Sequence, residues 1–173
     1  MTIRVPFSSK YWDEVKSLKK GFDNLDDHVI IADINANILY ANRAAEINTG
    51  FLAGEMIGKN PADLWGGNMP KEFYEKMWQT IKIEKSPFVG EVLNKKRSGV
   101  ESWQEIHISP ILDNKGEVKY FIAIEPVITD RKKKEQFRDE FITIVGHQLQ
   151  NPLTAIRWTI DWLSKKNNLT DDQ

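Results

Sequence analysis

The chain has 173 residues, 40% of them hydrophobic and 28% charged, which is room for about one ordinary domain of ~100–150 residues and an appendage. A formal net charge of -1 gives no electrostatic ground for nucleic acid or an anionic membrane as partner; no apolar run approaches the ~18–20 residues that cross a bilayer, and no charged segment followed by an apolar signal core is read at the amino terminus. The absence of cysteine removes disulfides, thiolate zinc sites, iron–sulfur clusters and cysteinyl photochemistry together.

A cytoplasmic protein without a membrane segment is therefore expected, in three regions: residues 1–26, 27–130 and 131–173. In the first, Trp12, Val15, Leu18, Phe22 and Leu25 recur at spacings of three and four, the stripe of an amphipathic helix. It either caps its own domain or contributes to a dimer. The second region opens with "VIIADINANILYAN", two β-rich runs around Asn35, Ala36 and Asn37, read as a hairpin. Short helical or loop pieces follow in "AAEINTGF" and "EMIGKNPADLW". In "KEFYEKMWQTIKIEK", Phe73, Met77, Trp78 and Ile81 stand at helical spacing. Three further strands, "PFVGEVLNKK", "VESWQEIHISPIL" and "VKYFIAIEPVI", are separated by the turns "RSG" and "DNKG". Five antiparallel strands with helices on one face make an α+β layer able to enclose a small cavity.

This order and wording resemble the PAS sensor family over roughly residues 25 to 135, through "VIIADINANILYANRAAEINTGF", "GEMIGKNPADLW", "GEVLNKKRSGVESWQEIHISPILDNKGEVKYFIAI" and the closing "ITDRKKKE". The resemblance implies a PAS fold that senses a small molecule, redox state or light, or that dimerises. The wording is most similar to the flavin-binding light-oxygen-voltage subclass. That subclass needs a cysteine in the segment where this chain has "GKNPADLW", and Pro61 occupies the position, so no cysteinyl adduct can form. By the same resemblance Asn94 and Gln104 stand where amides contact the flavin ring. Trp65 and Glu125 replace glutamines, and a buried Glu125 beside a flavin would require a charge partner or a raised pKa. These four are the ligand-pocket candidates, with an ordinary polar lining preferred and neither flavin nor haem expected. His28 and His107 read as structural histidines, His107 lying on the opposite strand face from Ile106 and Ile108. No metal site is expected.

From Thr129 to about Lys166 the apolar residues Phe137, Phe141, Ile144, Val145, Leu149, Leu153, Ile156, Ile160 and Leu163 recur every three or four positions, as in a helix packed against partner helices. At ~100° per residue, His147 falls nearly opposite the mean of that stripe, with Glu140, Thr143, Gln150, Asn151, Thr154 and Trp158. Pro152 removes one backbone donor, so the Gln148 carbonyl loses its usual partner and a bend is expected there. The basic run Arg131 to Lys134 reads as a solvated helix face, offset by Glu135, Asp139 and Glu140.

"FRDEFITIVGHQLQNPLTAIRWTIDWL" resembles the phosphoacceptor helix of sensor histidine kinases. The resemblance implies that His147 accepts a phosphoryl group from ATP and passes it to an aspartate of a response regulator. Gln148 stands where the family usually has an acid; its amide accepts a hydrogen bond but is no base near neutral pH. Asn151 matches the position that holds a water for dephosphorylating the regulator. Val127 replaces the acidic residue that usually precedes Ile-Thr at the end of the PAS domain, which puts signal transmission there in doubt. Such a kinase is a homodimer through its helices, and it needs a second bundle helix and an ATP-binding domain that uses ATP and Mg. Nothing after Leu163 supplies either. This chain is accordingly expected to be a portion of a longer protein, with no cofactor of its own and no activity alone. The alternative is a PAS ligand-binding or dimerisation module without phosphotransfer.

Overall fold

The computed structural model of the protein describes residues 18–167. Trp12 and Val15 lie outside them, as does the side chain of Leu163. Two compact units are formed, one ending at Thr129 and one beginning at Asp130. In the first unit, the described part of helix α1 covers residues 18–23 and ends before Leu25, which stays exposed. The helix expected from the Trp12–Leu25 stripe therefore stops short of the last residue of that stripe. The strands are β1 (His28–Asp33), β2 (Ile38–Ala41), β3 (Phe88–Lys95), β4 (Glu101–Leu112) and β5 (Val118–Glu125). They form one antiparallel sheet in the order β2-β1-β5-β4-β3. Between β2 and β3 lie α2 (Arg43–Thr49), α3 (Ala53–Met56), α4 (Pro61–Leu64), α5 (Lys71–Trp78) and a π-helical turn, Gln79–Ile83. The α+β architecture expected from the sequence is the one observed.

Local chemistry explains the corners. Asp33 closes the β1–β2 hairpin, its carboxylate accepting from the backbone N–H groups of Asn35 (2.8 Å) and Asn37 (2.9 Å) and from the Asn37 amide (2.8 Å). The left-handed residue of that turn is Ala36, at φ 64°, rather than one of the asparagines that suit such a conformation better. Asn42 caps α2 from a fully buried position, and Gly50 ends it at φ 80°, where a side chain would be strained. Asn60 caps α4 ahead of Pro61 in its first turn, the place where a missing N–H costs nothing.

Alternation along the strands sends one set of side chains inward, among them Ile30, Ile106, Phe121 and Ala123. They pack with Ile38, Met56 and Trp65 at one end and with Met77, Ile81, Phe88 and Val92 at the other. The helical wall is hung on the sheet by backbone bonds: Gly58 N–H to the Ile38 carbonyl (2.7 Å), Ile38 N–H to Lys59 (2.9 Å) and Lys95 N–H to Trp65 (2.8 Å).

The second unit is a single helix. Helix α6 spans Thr129–Asn167 and continues through Pro152. Phe137, Phe141, Ile144, Leu149, Leu153, Ile156 and Ile160 are all exposed.

Candidate functional site

Between the inner sheet face and the helical wall lies a cavity of about 540 Å³, within the range of small-molecule sites. Its wall is mainly apolar and aromatic, with Trp65, Tyr74, Met77, Trp78, Ile81 and Phe121 prominent. Trp78 meets Phe121 edge-on with ring centroids 5.9 Å apart. The Tyr74 hydroxyl accepts from the Gly67 N–H (3.1 Å) and the Met69 N–H (3.4 Å), holding the loop that forms the rim. The π-helical turn contributes Ile81, which is 1% exposed; such turns recur at functional sites.

Of the four pocket candidates, Trp65, Asn94 and Glu125 line this cavity, as does Pro61. Gln104 is buried behind it, in a chain of amides and imidazole. The Asn94 Nδ2 donates to Gln104 Oε1, and Gln104 Nε2 lies 2.7 Å from His28 Nδ1. His28 is 1% exposed. Register accounts for the meeting: His28 pairs with Glu125 across β1 and β5, both in the inward phase. The Glu125 side chain is 9% exposed, and its Oε2 lies 3.7 Å from His28 Nδ1 with no hydrogen-bond partner among the described residues. The sequence reading of His28 as a structural, hydrogen-bonded residue did not connect it with the pocket candidates. The usable signal was its phase with Ile30 and Ala32. His107 sits on the outer face, 2.9 Å from Glu105.

After β5 the backbone stays attached to β4. Glu105 N–H donates to the Pro126 carbonyl (3.0 Å), Ile128 N–H to Trp103 (2.8 Å), and Trp103 N–H to the Thr129 hydroxyl (2.9 Å). Val127 bridges to Gln104 by main chain. At the position where an acidic residue was missed, the connection is made by backbone groups instead.

On α6, His147, Gln148, Asn151 and Pro152 are all exposed. His147 shares a face with Asn151 one turn on. That face also carries Trp158, 73% exposed, as its spacing from His147 implied. Upstream, Gln136 donates to Glu140 (2.8 Å) and the Thr143 hydroxyl to the Asp139 carbonyl (2.9 Å), local bonds that support the helix surface before His147.

The family model described as "PAS fold" matches residues 17–125. The chain belongs to the PAS family. Its PAS domain is similar to the nitrogen fixation regulatory protein of Klebsiella oxytoca, 30% identical over 128 residues, which is 74% of this chain and 26% of the relative. It is similar also to a blue-light-activated histidine kinase of Brucella anthropi, 34% identical over 92 residues, 53% of this chain and 18% of the relative. The match thus spans about a quarter or less of either relative. Among solved structures, an RNA-binding light-oxygen-voltage receptor superposes with a TM-score of 0.67 at 21% identity, over 82% of this chain and 41% of that one; that likeness concerns the fold alone. No helix among the described residues is long and apolar enough to cross a membrane.

Proposed function

We propose that the chain is the sensory and phosphoacceptor portion of a two-component histidine kinase, with a PAS domain over 27–130 and the signalling and first phosphoacceptor helix over 131–173. The observation that carries this reading is the exposed His147, with Asn151 beside it and Pro152 after it, on a helix that begins directly after a PAS domain related to a light-activated histidine kinase. An exposed neutral imidazole is a competent nitrogen nucleophile near neutral pH. Transfer of a phosphoryl group asks for positioning and electrostatic help more than covalent work from the protein, and these come from an ATP-binding domain carrying ATP and Mg. The phosphoryl group then passes to an aspartate of a response regulator. Gln148 hydrogen-bonds but takes no proton, which slows forward transfer, and Asn151 positions water for the reverse task.

The expectation against a flavin is too strong. The missing cysteine excludes an adduct and leaves non-covalent binding open, while the relatives include a light-activated kinase. A planar ring system fits the volume and aromatic walls, and Asn94 and Glu125 are the polar side chains that would meet its edge. A bound flavin would supply light absorption or redox chemistry, read as a stoichiometric visible absorbance band in the purified protein.

The test is labelling. The chain with radiolabelled ATP alone stays unlabelled, and a matching ATP-binding domain added in trans labels it with an acid-labile, alkali-stable phosphoramidate. His147→Ala abolishes the label, Gln148→Glu raises the rate, and Asn151→Ala spares labelling while slowing regulator dephosphorylation in the complete kinase. Label surviving in His147→Ala refutes the assignment. A second reading, regulation by the PAS domain without phosphotransfer, is favoured by the likeness to the Klebsiella regulatory protein and predicts no label under any of these conditions.

A further inference from the structure

The amide chain behind the cavity has one sense of direction, and His28 sets it. Asn94 Nδ2 donates to Gln104 Oε1, which leaves Gln104 Nε2 as the group 2.7 Å from His28 Nδ1. An amide N–H needs a lone pair there, so the imidazole is neutral in this arrangement and carries its proton on Nε2. The same Gln104 nitrogen lies 3.4 Å from His28 Nε2, where donor meets donor. On another side stands Glu125, its Oε2 3.7 Å from His28 Nδ1, closed to water and without a hydrogen bond among the described residues. A buried carboxylate left in this way is costly. One added proton, placed on the imidazole between these groups, relieves both mismatches.

We propose that His28 is a proton switch: a proton taken from solvent at Nδ1 makes the imidazole the counter-ion of Glu125 and reverses the Gln104 and Asn94 amides. The lone pair of Nδ1 forms the new N–H bond, and the acid that gives the proton keeps its electron pair. Gln104 can then no longer donate to His28. Turned end for end, it presents Oε1 to both imidazolium N–H groups and Nε2 to Asn94, which turns in its place to accept with Oδ1. His28, Gln104 and Asn94 are all buried, so water does not stand in for the lost bonds and the two amides turn together. Burial opposes the uptake of charge. So do Lys95 and Lys96, which line one small void with His28 beside the neutral Asn48, Thr49 and Ser102. Neither lysine is buried, and Asp27, next in the chain, is exposed. The carboxylate of Glu125 is close, buried and uncompensated, so its attraction is screened least and outweighs them. Asn94 lines the cavity and Gln104 pairs by main chain with Val127. A single proton is thereby registered at the cavity wall and at the segment leaving the sheet. This deepens the sensory half of the proposed function without depending on His147, so a failed phosphoryl labelling and a failed titration are separate results.

The test is an NMR titration of the nitrogen-15-labelled chain from about pH 8 to about pH 5, the span in which imidazoles change charge. His28 Nδ1 is expected to pass from a lone-pair to an N–H chemical shift, and the side-chain amides of Gln104 and Asn94 to move with the same midpoint. The other two histidines, His107 and His147, are exposed and should titrate without moving those amides. His28→Gln removes the proton acceptor and should leave both amides indifferent to pH. Glu125→Gln removes the counter-charge and should weaken proton uptake by His28 about tenfold or more; it carries the comparison alone if His28→Gln fails to fold. A His28 that stays neutral throughout in the folded wild type, amides that do not follow it, a proton taken by the Glu125 carboxyl instead, or unchanged uptake in Glu125→Gln would each overturn the proposal.

Discussion

Asn42 offers the sharpest test of how this fold is held together. Its side chain is fully buried and makes four hydrogen bonds: Oδ1 accepts from Val29 N–H (3.0 Å) and Ala45 N–H (3.1 Å), and Nδ2 donates to the carbonyls of Phe22 and Asp27 (2.9 Å each). One amide therefore ties the end of α1, the entry to β1 and the start of α2. Asn42→Ala orphans two buried N–H groups at about 1–3 kcal/mol each, while the two carbonyls, partly open to water, lose less. A total of about 3–4 kcal/mol is expected, or a fall in Tm of roughly 10–20 °C for a domain of this size. Asn42→Asp separates this account from helix capping as such. On capping preference alone Asp equals Asn, and nothing should change. Here a carboxylate would point an unprotonated oxygen at two carbonyl oxygens, and about 2 kcal/mol should be lost. Urea unfolding followed by tryptophan fluorescence measures both variants, with unchanged m. An Asn42→Asp protein within about 0.5 kcal/mol of wild type, well under a single lost bond, would refute the reasoning.

Other consequences can be checked in parallel. A Cβ on Gly90 would lie 2.9 Å from Phe88 and 3.0 Å from Phe73. Gly90→Ala should therefore lose a net ~1–2 kcal/mol after the ~0.5–1 gained by removing a strand glycine, and Phe73→Leu should restore part of it in the double variant. The Asp33 carboxyl is held below its ordinary value of 3.8, first by the Asn37 side chain and then by its backbone N–H. Its contribution is complete above that value and disappears as pH falls through the lower folded one. Asp33→Asn should accordingly flatten the acid limb of the stability curve, and an unaltered limb would contradict it. The exposed stripe from Phe137 to Ile160 predicts self-association through α6, and light scattering showing a strict monomer at high micromolar concentration would count against it.

The strands and turns were legible because their signals are local. The turns "RSG" and "DNKG" separated β3, β4 and β5, and at the second of them Asp113 accepts from the Lys115 and Glu117 N–H groups and Gly116 takes φ 77°. The π-helical turn was invisible, since Phe73, Met77 and Ile81 keep four-residue spacing whether the last turn is α or π. The cavity candidates Trp65, Asn94 and Glu125 came from resemblance and fell on one wall. The meeting of His28 with Glu125 depends on β1 lying beside β5, and no local pattern specifies which strands become neighbours 97 positions apart (28 to 125). Ala36 in the left-handed conformation was likewise beyond propensity, which favours its asparagine neighbours. There the carboxylate of Asp33 dictates the turn.

The sheet order has a bearing on how the domain comes into being. Its central strand, β5, is the last to be synthesised and lies between β4 and the first strand, β1, whereas β1–β2 and β3–β4 are pairs of consecutive strands that can close locally. Contacts of long sequence separation form slowly, and a chain emerging from the ribosome amino end first holds two unconnected hairpins until residue 125 is out. During that interval the flanks of β1 and β4 that β5 will occupy are open edges, the arrangement most prone to pair with another chain. A nascent chain stalled with β4 emerged and Val118 still inside the ribosome should accordingly be far more aggregation-prone than one stalled with Glu125 well clear of it.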